Sequence, residues 1–414
     1  MSKETVLAGL DIGSSHIRLV VAQLQADGTP QVLAATSTPS EGIHKGAVTS
    51  LEDAVTSINI AIEQAERVSS VAVENVMVSF SGHQVNIQKS NGVVAVGKAD
   101  GEIVESDVER VLQNAQTVSI PPNYEIINVI PRGYHVDDQI GIKDPIGMSG
   151  VRLRADVLLI EVLSNQLKNL SKAVYRAGVN IDNIVLSALA AGEACLDKRQ
   201  KELGVAVINM GAATTGVAVY QEGDLLHVGV VPVGSGHITS DIAIGLRIAI
   251  DVAEQIKLNQ GTALPDIISK RDEIILSDYD PAERERVPRK QVAEIIQARL
   301  EEIFSLVRAE LDNANIGSHI PAGIVLTGGG SQLPGLVDAA KSWFSLPVSI
   351  TPPIRISSIT EGVFNPAFST AAGLILWAAR DVVRPESGIS TSQSFGTVAQ
   401  KAQSVVQWLK NLLP

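Results

Sequence analysis

Residues 6–22, VLAGLDIGSSHIRLVVA, and residues 205–220, VAVINMGAATTGVAVY, decide the fold. Each is an apolar strand ending on an acid or its amide, a Gly two residues on, small residues suited to a tight turn, and a second strand. The two segments lie about 198 residues apart. A strand-turn-strand that opens each half predicts a duplicated, two-lobed protein with the two turns facing each other across a cleft. Helical periodicity follows each hairpin, at residues 51–68 and 238–257, so strands and helices alternate as in an α/β protein. Residues 85–162 break that alternation. Turn signals at Asn91-Gly92 and Asp100-Gly101, a helix over residues 106–118, and strands over 125–136 and 152–162 predict an inserted β-α-β-β subdomain.

The chain has 414 residues, about twice what one hydrophobic core supports, and 45% of them are hydrophobic, which describes a well-cored protein of two lobes or more. A net charge of -12 with 3% aromatics excludes a nucleic-acid partner on electrostatic grounds. The lone Cys195 excludes an intramolecular disulfide and a multi-cysteine metal site, and reads as a small buried apolar side chain. No signal-peptide pattern opens the chain, and no apolar run reaches the length of about 18 residues that a membrane-spanning helix requires. Any membrane contact is expected to be peripheral.

Four motifs point to a nucleotide. At Asp11-Ile12-Gly13-Ser14-Ser15 the glycine lets backbone approach an anion, consecutive amides form a phosphate concavity, and Asp11 would face Mg2+ through water. The hairpin around Asn209 and Gly211 repeats the arrangement. Gly234 and Gly236 enter a helix whose N-terminal amides favour phosphate, and on its continuation Glu254 and Lys257 share a face where they could meet ribose and base. The strand at residues 324–327 runs into Gly328-Gly329-Gly330, bare backbone against which a base or ribose can lie. Neither the GxxxxGK[ST] phosphate loop nor GxGxxG is present.

The order of these motifs resembles the actin, hexokinase and heat-shock chaperone superfamily, and over essentially its whole length the sequence resembles the bacterial cell-division family FtsA. Residues 126–162, IINVIPRGYHVDDQIGIKDPIGMSGVRLRADVLLIEV, resemble that family's inserted subdomain, and VGSGHITSDIAIGL (233–246) and VLTGGGSQLPGL (325–336) are similar to FtsA as well. The resemblance implies a two-lobed actin-like ATPase fold with ATP between the lobes, actin-like self-association, docking of the FtsZ C-terminal peptide, and recruitment of other divisome proteins at the cytoplasmic face of the division site. Carried over residue by residue, Asp11, Gly13, Ser14 and Ser15 match the first phosphate motif. Gly211, Thr214 and Thr215 match the second, and Gly234, Gly236, Glu254, Lys257, Gly328, Gly329 and Gly330 match phosphate and adenosine positions. Three positions depart: Asn209 stands where the second motif usually carries Asp, His16 where FtsA often has Lys, and Ser187 where other superfamily members have Glu. These changes predict little or no hydrolysis. The implied division is 1–84 and 163–202 for lobe 1, 85–162 for the insertion, 203–244 and 317–360 for the lobe 2 core, 245–316 for its tip, and 361–382 for a closing helix. The resemblance implies that the FtsZ peptide docks on that tip, where Arg271, Arg284, Arg286, Arg289 and Lys290 offer charge partners. A pilus-assembly adaptor and a small-molecule kinase of the same superfamily are the competing functions.

Residues 383–394 read as a flexible linker, and residues 395–414 as a membrane-targeting amphipathic helix. Phe395, Val398, Val405, Trp408, Leu409, Leu412 and Leu413 share its apolar arc. With two Lys and no acid it would bind anionic lipid weakly as one copy and firmly as many copies in a polymer.

Overall fold

The computed structural model describes residues 5–283, 285–313 and 320–383. Among these residues, the first lobe is built on a six-stranded sheet in the order Asn180–Leu186, Asn75–Phe80, Val6–Ile12, His16–Leu24, Pro30–Pro39, Ser357–Ser358. A five-stranded sheet carries the second lobe, in the order Asp224–Val231, Thr215–Gln221, Val205–Met210, Ile324–Thr327, Val348–Ile350. The predicted duplication is explicit in the pairing. Val6–Ile12 pairs antiparallel with its hairpin partner and parallel with Asn75–Phe80, and Val205–Met210 pairs antiparallel with its own partner and parallel with Ile324–Thr327.

The strand Val6–Ile12 is buried at six successive positions, which needs cover on both faces. Helix Leu51–Ser69 packs against the strands that follow it on the sheet, and helix Ser369–Val383 packs against Val6–Ile12 itself. The latter helix also lies on helix Ser187–Cys195, every residue of which is buried and which in turn packs on the second sheet. The two helices therefore form the layer between the sheets. Two glycines permit that spacing: a Cβ on Gly9 would lie 2.4 Å from the carbonyl oxygen of Ala371, and one on Gly373 would lie 1.7 Å from that of Ala190.

The insertion folds around its own core of Ile103, Val108, Val111, Leu112, Tyr134, Leu153 and neighbours. Its sheet runs Val85–Ala95, Arg152–Leu163, Tyr124–Val136, Gln139–Ile142, with helix Glu105–Ala115 on one face. The four-residue edge strand adds to the predicted β-α-β-β order. Asn91-Gly92 is not a turn as expected but the middle of a strand. Gly92 is there because the helix comes so close that a Cβ would lie 2.1 Å from Val111 O. Periodicity at residues 238–257 resolves into two helices, Ser235–Leu246 and Ile250–Gln260, because Arg247 takes a left-handed φ of 57° and ends the first. The long helix Arg289–Asn313 buries Val292, Ala293, Ile296, Leu300, Ile303, Phe304, Val307 and Leu311, one stripe at three- and four-residue spacing.

Among the described residues no helix is long and apolar enough to cross a membrane. Residues 395–413, and with them the whole expected lipid-binding arc, lie outside the described residues, as do Arg284 and residues 384–394.

Candidate nucleotide cleft

The two hairpin turns close in the same way: Gly13 donates its N–H to His16 O at 3.2 Å, and Gly211 donates to Thr214 O at 2.9 Å. Both turns line one cleft of about 810 Å³ between the lobes, together with the triglycine turn and the faces of helices Ser235–Leu246 and Ile250–Gln260. That volume suits a nucleotide-sized ligand. The backbone amides of Ser14, Ser15, Ala212 and Ala213 donate to no protein acceptor among the described residues, so two sets of free N–H groups lie on the walls of the cleft. A Cβ on Gly329 would have only Ala367 Cβ and Arg18 Nη2 nearby, each at 3.9 Å, so a side chain there would occupy cleft space that bare backbone leaves open.

Of the sequence-predicted residues, Asp11, Gly13, Ser14, Ser15, His16, Asn209, Gly211, Thr214, Gly236, Glu254, Lys257, Gly328, Gly329 and Gly330 line this cleft. Two do not. The Thr215 hydroxyl is buried and donates to Val233 O at 2.7 Å, because its strand turns that side chain into the lobe. Gly234 packs against the second hairpin turn, where a Cβ would lie 2.5 Å from Gly211 O. The start of helix Ser235–Leu246 is likewise docked on that turn. Ser235 N donates to Gly211 O at 2.9 Å and Gly236 N to Ala212 O at 2.7 Å, so these two amides are not free for phosphate as expected.

The Lys257 ammonium is buried and donates to Glu254 Oε2 at 2.7 Å and Thr239 Oγ1 at 2.9 Å, and Thr239 also bonds Glu254. The pair shares a helix face as predicted, but Lys257 is bound to its neighbours and does not extend freely into the cleft. Asn209 Nδ2 donates to Thr370 Oγ1 at 3.0 Å. Ser187 lies at the start of the helix between the sheets and lines the same space.

Asp11 is buried and accepts from Ser79 Oγ at 2.7 Å. Burial pushes its carboxyl up, against the Ser79 hydrogen bond and the charge of Arg18, which pull it down. Burial, followed by the charge of Arg18, pushes the His16 imidazole down, so the ring is neutral at neutral pH. Arg18 itself was not singled out from the sequence. It lies opposite Asp11 in the hairpin register and lines the cleft with its guanidinium 5.9 Å over the Phe368 ring. Its Nε is buried without a partner.

The donor set fits the phosphates and sugar of a nucleotide. It fits a protein-held Mg2+ poorly, because Asp11 is the single carboxylate at the hairpin turns and Asn209 is a neutral amide. Among the described residues no group of three or more His, Cys, Asp and Glu could hold a metal ion.

On the surface of the second lobe's tip, Arg286 faces Glu273 at 3.5 Å and Lys290 faces Asp266 at 3.7 Å. Arg289 is engaged inward, donating from Nε to Gln260 O at 2.9 Å, and Arg271 is exposed.

Residues 206–373 match the family model for cell division protein FtsA, and residues 82–161 match the model for the SHS2 domain inserted in FtsA. The chain is 35% identical to the cell division protein FtsA of Pseudomonas aeruginosa, over 94% of this chain and 92% of that one. It is 37% identical to that of Bacillus subtilis, over 92% and 85%, and 33% identical to that of Escherichia coli K12, over 98% and 96%. Among solved structures it is similar to the PilM-PilN type IV pilus biogenesis complex, with a TM-score of 0.64 and 18% identity over 90% of this chain and 98% of that one. It is also similar to MreB 5 of Spiroplasma citri bound to AMPPNP, with a TM-score of 0.54 and 12% identity over 93% and 99%. These likenesses establish the actin-like ATPase fold.

Proposed function

The chain belongs to the FtsA family of cell-division proteins, and on that premise we propose that it is an ATP-binding scaffold that polymerises and tethers FtsZ filaments to the inner face of the cytoplasmic membrane. The observation that carries this reading is the cleft of about 810 Å³ walled by two hairpin turns with free amides, a site for a polyphosphate between two lobes. ATP bound there bridges the lobes. It favours the closed arrangement by as much as it binds that arrangement more tightly than the open one, which gives self-association a nucleotide dependence. The MreB 5 structure, which is bound to AMPPNP, supports a nucleotide as a ligand of this fold.

Chemistry on the nucleotide is slow in this account. Asn209 and Ser187 occupy positions where an acid would orient water, and neither amide nor hydroxyl takes a proton at neutral pH. A Mg2+ ion arriving with the nucleotide would find Asp11 as the carboxylate at the hairpin turns to receive its water shell, and no step here runs through the metal.

Membership of the family supports the membrane and filament contacts proposed here. Residues 395–413 lie in the headgroup region as an in-plane helix, weak in one copy and additive along a polymer. The FtsZ C-terminal peptide docks on the second lobe's tip, where Arg271, Arg286 and Lys290 offer charge to an acidic partner beside the long helix. Co-sedimentation of the full chain with anionic vesicles, with and without ATP and FtsZ, tests the reading. Pelleting should rise with ATP, and FtsZ should pellet only when the chain is present. A chain that stays in the supernatant under every condition contradicts the proposal.

A further inference from the structure

We propose that the contact between the inserted subdomain and the second lobe is a latch that nucleotide phosphates open, with the Thr214 hydroxyl as its switch. This rests on the nucleotide reading above and names a motion that the same site drives.

The insertion leaves the first lobe at the wall of the cleft. Strand Asn75–Phe80 ends, Ser81 lines the cleft, and the match to the inserted domain begins at residue 82. Two contacts meet at the Ser81 carbonyl. One comes from the tip of a short hairpin, Ile43–His44 paired with Ala47–Val48. Gly46 at that tip, with a φ of 73°, donates its N–H to Ser14 Oγ at 2.9 Å, and a Cβ on it would lie 2.2 Å from Ser81 O. The other comes from the second lobe, where Thr214 Oγ1 donates to the same Ser81 O at 3.3 Å. Thr214 stands in the second hairpin turn and lines the cleft, so this bond ties that turn to the residue from which the insertion departs.

A hydroxyl has one proton to donate. At 3.3 Å the bond to Ser81 O is long for such a donor, and a charged phosphate oxygen makes a shorter and stronger one. A polyphosphate seated between the two turns therefore takes the Thr214 proton and frees Ser81 from the second lobe. The hydroxyl has two alternative partners, and the ligand favours one of them.

The rest of the contact is easily shifted. The insertion is fixed to the first lobe, where Ile127, Leu158 and Ile160 join that lobe's core and Asn128 bonds Ile184 O and Leu186 N. Against the second lobe it is loosely seated. Strands Val85–Ala95 and Tyr124–Val136 approach the edge strand Asp224–Val231, and a cavity of about 380 Å³ is walled there by His83, Val85, Leu158, His227, Val230 and Glu310. His83, two residues past Ser81, has its Nδ1 buried with no hydrogen-bond partner among the described residues. The ion pair to that strand, Lys143 Nζ to Asp224 Oδ2 at 2.5 Å, has its lysine side chain 57% exposed. Voids forfeit dispersion contacts and exposed ion pairs add little, so this interface holds the second lobe weakly once Thr214 lets go.

The test is pulsed electron-electron resonance on the full chain with spin labels at Glu109→Cys and Ser305→Cys, exposed positions on the insertion's helix and on the second lobe's long helix; Cys195 is buried. The mean label distance should shift when a slowly hydrolysed ATP analogue saturates the chain. Thr214→Val should show a shifted or broadened distance without nucleotide, and the analogue should move it no further, whereas Thr214→Ser keeps the hydroxyl and should behave as the parent. Thr214→Val should also bind the analogue about tenfold more weakly, as loss of a hydrogen bond to a charged acceptor predicts, so saturation is set by calorimetry for each chain. Lys143→Ala should broaden the distance without nucleotide. The labelled parent answers the question by itself, so a variant that misfolds does not leave it open. A parent whose label distance is the same with and without bound analogue overturns the latch and leaves the nucleotide reading standing, as does a Thr214→Val chain that responds like the parent. An unlabelled parent with no heat of binding overturns both.

Discussion

Glu193 joins three cations at the place where the last described helix meets the first lobe's buried helix. Its carboxylate lies 2.9 Å from Lys201 Nζ, 2.5 Å from Arg355 Nη1 and 2.8 Å from Arg380 Nη2, and its side chain is 11% exposed. Burial pushes the carboxyl up, but Arg380, Lys201 and Arg355 outweigh it and hold the group down from 4.5 to about 2. A folded-state value below the unfolded one adds stability that is fully present above pH 4.5 and disappears as pH falls toward 2. At about 1.4 kcal/mol per unit, the contribution at pH 7 is about 3 kcal/mol. Glu193→Gln keeps the volume, removes the charge and leaves three cations around a neutral amide. Urea unfolding reports the loss by tryptophan fluorescence, since Trp377 is on the same helix with Arg380 5.4 Å from its ring centroid. The variant should be less stable by about 3 kcal/mol at pH 7, narrowing to about 1.4 kcal/mol at pH 3. Equal stability at pH 7, or a gap that does not narrow with acid, would refute the reasoning.

Four further outcomes follow. Gly373→Ala drives a methyl group into the Ala190 carbonyl, so thermal unfolding should show a loss of about 2 kcal/mol or more, against under 1 kcal/mol if the helices can move apart. Cys195 is buried, and burial pushes its thiol up, so it should react with a maleimide only after denaturation; rapid labelling of native protein would contradict its placement. Trp408→Glu and Leu409→Glu each place a charge in the apolar arc of residues 395–413 and should abolish vesicle pelleting while ATP binding is unchanged; if both still pellet like the parent, that helix is not the anchor. Reversing charge at Arg286 and Lys290 together should weaken binding of the FtsZ C-terminal peptide by about tenfold, measured by fluorescence anisotropy, and unchanged affinity would move the docking surface elsewhere.

Much of the fold was legible because duplication repeats a pattern. Two hairpins of the same composition, each followed by helices, require two similar sheets, and the matched turns at Gly13 and Gly211 are that repetition in hydrogen bonds. What local composition could not separate is the reason for a glycine. Asn91-Gly92 reads as a turn because Asn and Gly favour turns, whereas Gly92 answers to a helix that packs on the strand from elsewhere in the chain. Motif matching also fails to say which way a side chain points. Thr214, in the turn, faces the cleft, while Thr215, the first residue of the strand, is turned into the lobe. Arg18 escaped notice because it belongs to no motif. The available signal was that HIRLVVAQL holds one permanently charged residue next to an apolar run, opposite Asp11 once the turn at Gly13 fixes the register.

The most direct test of the central claim is hydrogen exchange of the full chain with and without a slowly hydrolysed ATP analogue. A nucleotide held between the lobes should slow exchange at Gly13–Ser15, Gly211–Thr214 and Gly328–Gly330 together, since these segments form the cleft from both halves of the chain. Exchange at those three segments that is unchanged by the analogue would contradict the account.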